Sequence, residues 1–168
     1  MKMLFSIVIL SLGLSLSAHA AAPGSRSDEE VFSFMNKNGI AYDSLCTNMN
    51  LYKEIMGWMG VRYKYAGKSK KGVDCSGFVG VICNKIYGTQ LGGSAGDHFK
   101  KCVEIDRNQL EEGDLVFFKI RKNTISHVGL YLGNHKFIHA AVHGGVMIND
   151  LRENYYNKYY FSSGRLKS

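Results

Sequence analysis

Ser126-His127-Val128-Gly129-Leu130-Tyr131-Leu132-Gly133-Asn134-His135-Lys136-Phe137-Ile138-His139-Ala140-Ala141-Val142 holds two short apolar-alternating runs around a glycine-asparagine step. Alternation with period two marks strands with one buried face. Two antiparallel strands are expected, Ser126 to Leu132 and Phe137 to Val142. Val128, Leu130 and Leu132 share a face of the first; Ile138, Ala140 and Val142 share a face of the second. Both sets seek the same apolar layer, so opposing residue numbers must sum to an even number. A loop of about three or five residues centred near Gly133 gives that parity, whereas a two-residue Asn-His turn would send one set to the wrong face. In the resulting register His127 lies directly across from His139, about 5 Å away at Cβ. The hydrophobic pattern by itself therefore predicts an adjacent histidine pair.

Upstream, Val73-Asp74-Cys75-Ser76-Gly77-Phe78-Val79 sets a cysteine behind an acid where a loop enters an apolar helix. Phe78, Val79, Ile82 and Ile86 recur at three and four, Asp74 is placed to cap the amides of Ser76 or Gly77, and Gly88 ends the helix. A helix amino end favours a thiolate and should lower the thiol pKa. A histidine beside a cysteine can act as its base, and a second histidine bonded to the first fixes its tautomer. Cys75 is thus the candidate nucleophile, His127 the base and His139 the orienting third residue. A lone strand histidine or helix cysteine is more often core; the joint arrangement favours catalysis. His135, His139 and His143 recur every four residues, as metal ligands on a helix would, but Phe137-Ile138 and Gly144-Gly145 suit a strand and turn better, so no metal is expected.

The remaining chain reads as helices followed by strands. Ser27-Asp28-Glu29-Glu30 resembles a helix start, with Val31, Phe34 and Met35 as an apolar stripe closed by Gly39. A second helix is expected from Asn48 to Trp58, carrying Leu51, Ile55, Met56 and, just beyond, Met59. Leu91 to His98 reads as a glycine-rich loop, and a polar segment runs on to Glu112. Leu115 to Phe118, Val146 to Ile148 and Tyr159 to Leu166 supply further strands. Helices first and strands last imply an α+β domain with the nucleophile helix packed on a central antiparallel sheet.

The 168 residues suffice for one domain with a core. Residues 1–20 carry a short positive start, an apolar run from Leu4 to Leu16 and the Ala18-His19-Ala20 pattern of a secretory signal peptide. Residues 21–47 would form a polar lead and first helix, and 48–168 the catalytic domain. No cysteine follows the apolar run, so no lipid attachment is expected, nor stable membrane insertion after cleavage. The formal charge of +7 suits an anionic polymer such as a cell wall, or simply solubility. Nucleic acid is not expected, because the lysines are scattered and no binding motif accompanies them. Cys46, Cys83 and Cys102 are read as buried free thiols, with at most one bridge among them.

Gly72-Val73-Asp74-Cys75-Ser76-Gly77-Phe78-Val79, Gly113-Asp114-Leu115-Val116-Phe117-Phe118, Ser126 to Gly133 and Phe137-Ile138-His139-Ala140, in that order, resemble the NlpC/p60 family of cell-wall cysteine peptidases. Trp58-x-Gly60-Val61-Arg62-Tyr63 and Lys70-Lys71-Gly72 are similar to the small single-domain murein endopeptidases of Gram-negative envelopes. The resemblance covers about residues 50 to 166. It implies a papain-like α+β fold and the roles already given to Cys75, His127 and His139. It adds the Tyr63 hydroxyl as an oxyanion donor and Asp74 and Ser76 as substrate-groove residues. Ser94 would stand for a threonine whose partner arginine is replaced by Gly93, which bears on stem-peptide specificity. The implied protein is a monomeric periplasmic or secreted hydrolase of peptidoglycan peptides with no cofactor, most readily a cross-link endopeptidase. Cleavage between γ-D-glutamate and the diaminoacid, a secreted wall-degrading effector and a catalytically idle wall-binding module are the alternatives. The missing SH3-like domain argues against a recycling enzyme, and retention of Cys75, His127, His139 and Tyr63 against an idle module.

Overall fold

A computed structural model describes residues 26–121 and 123–167. The signal-peptide reading of residues 1–20 lies outside them. Ser27 starts helix α1, Asp28–Lys37, through a capping box: its hydroxyl accepts from the Glu30 amide while the Glu30 carboxylate accepts from the Ser27 amide. Helix α2 spans Met49–Met56, shorter than expected, with Asn48 as cap and Leu51, Tyr52 and Ile55 buried. Met59 falls beyond its end and is 37% exposed. Val31 and Met35 of α1 join the same core as α2. A two-stranded hairpin, β1 at Lys68–Ser69 and β2 at Gly72–Val73, then leads into α3, Cys75–Tyr87.

Four elements occupy stretches that the sequence alone reads as irregular or merged. Helix α4, Ala95–Lys100, replaces the expected loop end, because Ser94 and Asp97 form a second capping box. The flanking Gly92, Gly93 and Gly96 mask that signal in the sequence. Strand β3, Cys102–Ile105, and a single 3₁₀ turn at Arg107–Gln109 replace the polar segment. Helix α5, Asn154–Tyr159, precedes the last strand; its tyrosines and asparagines have weak helix propensity.

The main sheet is antiparallel throughout and has six strands. With β4 at Leu115–Phe118, β5 at His127–Gly133, β6 at Lys136–Ala141, β7 at Gly145–Asp150 and β8 at Tyr160–Leu166, the order is β3-β8-β4-β5-β6-β7. Helix α3 lies on β5 and β6. Phe78, Val79, Ile82 and Cys83 share a core there with Val128, Leu130, Leu132, Ile138 and Ala140, the even-numbered set the alternation selected. Val142 does not join it; β6 ends at Ala141, and Val142 is 55% exposed. A smaller cluster of Val116, Phe118, Tyr131, Phe137, Leu151 and Tyr156 covers the other face, so all four residues of β4 are buried.

The β5–β6 connection corrects the expected turn. Leu130 faces Ile138 and Tyr131 faces Phe137, but Gly133 faces Lys136. Asn134 and His135, at φ 47° and 61°, therefore form a two-residue turn of the type that suits twisted hairpins. Parity survives because Leu132 and Gly133 together oppose Lys136 in a bulge, with Gly133 at φ 93°. Both histidines stay on one face, displaced from directly opposite. Continuing the register sets Gly129 beside His139, where an added Cβ would lie 2.6 Å from the Phe137 ring and 3.3 Å from the His139 Cβ.

Candidate active site

Asp74 shapes the start of α3. Its Oδ1 accepts from the Gly77 amide at 2.6 Å and the Ser76 hydroxyl at 3.1 Å, while Oδ2 accepts from the Ala66 amide at 2.8 Å. Of the two amides expected to be capped, Gly77 is the one bonded. Gly77 also lets the loop close on the helix, since any Cβ there would collide with the Gly67 carbonyl. These contacts fix Cys75 as the first residue of α3, where it lines a cleft of about 500 Å³ together with Tyr63, Ser76, Ser94, His127 and His139. The structure thus brings Cys75, His127, His139, Tyr63, Asp74, Ser76 and Ser94 to one cleft. The Ser94 hydroxyl is partly committed as the α4 cap, accepting from the Asp97 amide and donating to its carboxylate at 2.8 Å. Gly93 lines a second cavity, about 310 Å³, which shares Ser76 with the cleft.

The histidines touch, with His127 Nε2 2.8 Å from His139 Nδ1. His139 stacks on Phe137 and edges Tyr156, and His127 leans on Phe118. The chain of contacts continues beyond the expected pair. His139 Nε2 lies 2.9 Å from Asn149 Oδ1 and 3.2 Å from the Tyr156 hydroxyl. Asn149 donates to both Glu153 carboxylate oxygens at 3.1 and 3.0 Å. The sequence reading assigns nothing to Asn149, Glu153 or Tyr156. Asn149 carries a usable signal: next to the core-facing Val146 and Ile148, it is a polar residue on the face β6 gives to His139.

Burial governs the charges. It lowers His127 well below its usual range, with the His139 charge pushing the same way. It lowers His139 to about 4 despite the bond to Asn149. It also raises the Cys75 thiol, overriding hydrogen bonds from the backbone at Val128, Ser76 and Cys75 itself. The expectation of a lowered thiol pKa is therefore corrected: desolvation outweighs the helix amino end. Cys75 and His127 face the same cleft, the one from the start of α3 and the other from the start of β5. Tyr63, which lines the same cleft as Cys75, has its phenol raised by burial first and by the Cys75 sulfur second.

His135 sits in the β5–β6 turn and His143 between β6 and β7. Among the described residues no three His, Cys, Asp or Glu side chains are grouped to hold a metal ion. All four cysteines are free, and Cys83 and Cys102 are buried as expected; Cys46 is exposed, because it lies in the polar turn between α1 and α2. No helix among the described residues is long and apolar enough to cross a membrane.

The sequence profile of the NlpC/P60 family matches residues 60–165. The chain is 37% identical over 131 residues to the murein DD-endopeptidase MepS/murein LD-carboxypeptidase of Escherichia coli strain K12, covering 76% of this chain and 69% of that protein. It is 39% identical over 109 residues to a probable endopeptidase NlpC homolog of Haemophilus influenzae, covering 65% of this chain and 57% of the relative. In fold it matches the crystal structure of an NlpC/P60 family protein from Bacillus cereus with a TM-score of 0.64 and 31% identity, over 69% of this chain but 39% of that one.

Proposed function

The chain belongs to the NlpC/P60 family, and from that membership we propose that it is an exported cysteine peptidase, periplasmic or secreted, hydrolysing amide bonds in peptidoglycan peptides. Cross-link cleavage is the favoured reaction, since the Escherichia coli relatives MepS and MepH are named murein DD-endopeptidases. The observation that carries the reading is the meeting in one cleft of a cysteine at a helix start and a touching histidine pair. In this reading His127 takes the Cys75 proton as the sulfur attacks the amide carbonyl. The Tyr63 hydroxyl and amides at the start of α3 hold the developing oxyanion. His127 then returns the proton to the leaving amine, and water hydrolyses the thioester. His139 orients His127 throughout. Asp74, Ser76 and Ser94 border the groove where the peptide would lie. The proposed boundaries keep residues 1–20 as a leader and 48–168 as the catalytic part.

Incubating the protein lacking residues 1–20 with purified sacculi and defined muropeptides, with products read by mass spectrometry, tests this. Cross-linked dimers should fall to monomers, and Cys75→Ala should lose cleavage by about 10³-fold or more. Products cut after γ-D-glutamate would instead establish the stem-peptide activity, and loss of a terminal residue a carboxypeptidase. Equal cleavage by wild type and Cys75→Ala would overturn the nucleophile, and binding without cleavage would leave a wall-binding module.

A further inference from the structure

We infer that Asn149 and Glu153 are positioning residues that hold the two ring histidines in the one tautomer pair able to take the Cys75 proton. The inference deepens the peptidase reading above and rests on it. A carboxylate only accepts hydrogen bonds. Asn149 Nδ2 lies 3.1 and 3.0 Å from the two Glu153 oxygens, so the amide turns its NH₂ to Glu153 and its Oδ1 to His139. The opposite rotation would set an amide oxygen against a carboxylate. Oδ1 also only accepts, so the hydrogen of the 2.9 Å contact belongs to His139 Nε2. A neutral ring has one N–H, which leaves His139 Nδ1 bare. His127 Nε2, 2.8 Å away, must then be the donor. His127 in turn has spent its only hydrogen, and its Nδ1 lone pair is the one nitrogen left to receive the thiol proton. The Tyr156 hydroxyl, 3.2 Å from His139 Nε2 and 3.3 Å from Asn149 Oδ1, both donates and accepts and does not set the direction. The direction comes from Glu153, the residue before α5, which also accepts the Asp150 amide at 2.8 Å.

Glu153→Lys is the discriminating variant. An ammonium only donates, so the Asn149 amide rotates, turning Oδ1 to the lysine and its NH₂ to His139. Both histidines then switch to Nδ1–H, and His127 loses its free lone pair. Adding Asn149→Asp restores the direction, because an aspartate accepts from His139 and from the introduced ammonium alike. Long-range ¹H–¹⁵N spectra of histidine-labelled protein should show Nε2–H for His127 and His139 in the wild type, Nδ1–H in Glu153→Lys and Nε2–H again in the double variant. Cys75 alkylation by iodoacetamide, followed by peptide mapping, should slow roughly tenfold or more in the single variant and recover in the double. Muropeptide kcat should follow the alkylation rate with KM unchanged. Wild-type tautomers in Glu153→Lys would overturn the proposal, as would a double variant no faster than the single one, the result expected of a merely structural Glu153. If Glu153→Lys fails to fold, the wild-type spectrum decides alone, and Nδ1–H on His127 overturns it. Tautomers as stated without peptidoglycan cleavage would sink the substrate reading and leave the positioning roles standing.

Discussion

The Cys75 thiol and the His127 imidazole both sit where charge is costly. Burial raises the one above its ordinary 9.0 and lowers the other, so both directions favour a neutral thiol beside a neutral ring rather than a thiolate–imidazolium pair. The proton would then move only as the sulfur attacks, with His127 as general base. The pH dependence of alkylation at Cys75 separates the two cases. A neutral pair gives a rate that climbs steadily from pH 7 past 9.0, as the thiolate fraction grows. A preformed ion pair would give a plateau already reached at neutral pH. Peptide mapping is needed, because the exposed Cys46 also reacts.

At the scale of elements the β5–β6 hairpin joins fold to site. The bulge at Leu132 and Gly133 restores a parity that the Asn134-His135 turn would otherwise break. Deleting Gly133 should therefore remove the bulge and leave the register standing. Leu132 would face Lys136 directly across the Asn134-His135 turn, keeping Leu130 opposite Ile138 and Tyr131 opposite Phe137, with Ile138 and Ala140 still turned to α3. The expected outcome is a cooperative thermal transition and a near-ultraviolet circular dichroism spectrum like those of wild type; loss of both would refute the register argument. The same hairpin shows what a sequence can and cannot display. Val128, Leu130, Ile138 and Ala140 reveal the buried face by alternation, and with it the histidine pair. The offset between His127 and His139 stays hidden, because a three-residue loop and a two-residue turn with a bulge give the same parity. Helix α4 is hidden by the glycines around Ser94 and Asp97. The Asn149–Glu153 chain crosses from β7 to the head of α5, an element with no apolar period to announce it. Tyr63 reads in the sequence as an ordinary aromatic, and only the family resemblance gives it a role before the cleft places it near Cys75.

The whole molecule carries several buried histidines, and their protonation links the site to global stability. His98, fully buried in α4 with neither ring nitrogen hydrogen-bonded, is lowered by desolvation like His127 and His139. A histidine lowered on folding binds its proton more readily in the unfolded chain. Stability therefore rises with pH across the window from the folded pKa up to the ordinary 6.5, and is lost as pH falls through it. For His139, with a folded value of about 4, the full window is worth about 3 kcal/mol. Glu112 runs the other way: burial raises its carboxyl, so it favours folding as pH drops. Asp150, held low first by its bond to Arg152, gives stability that is lost only once the pH falls below the ordinary 3.8. The histidines thus dominate between pH 6.5 and 4, and Tm should drop steeply there. Thermal melts at half-unit pH steps would measure the slope. His98→Gln, which cannot charge, should flatten it while leaving the His127–His139 contribution in place. A Tm independent of pH over that window would mean that the rings titrate normally in the folded protein, and with them the neutral Cys75–His127 pair would fall.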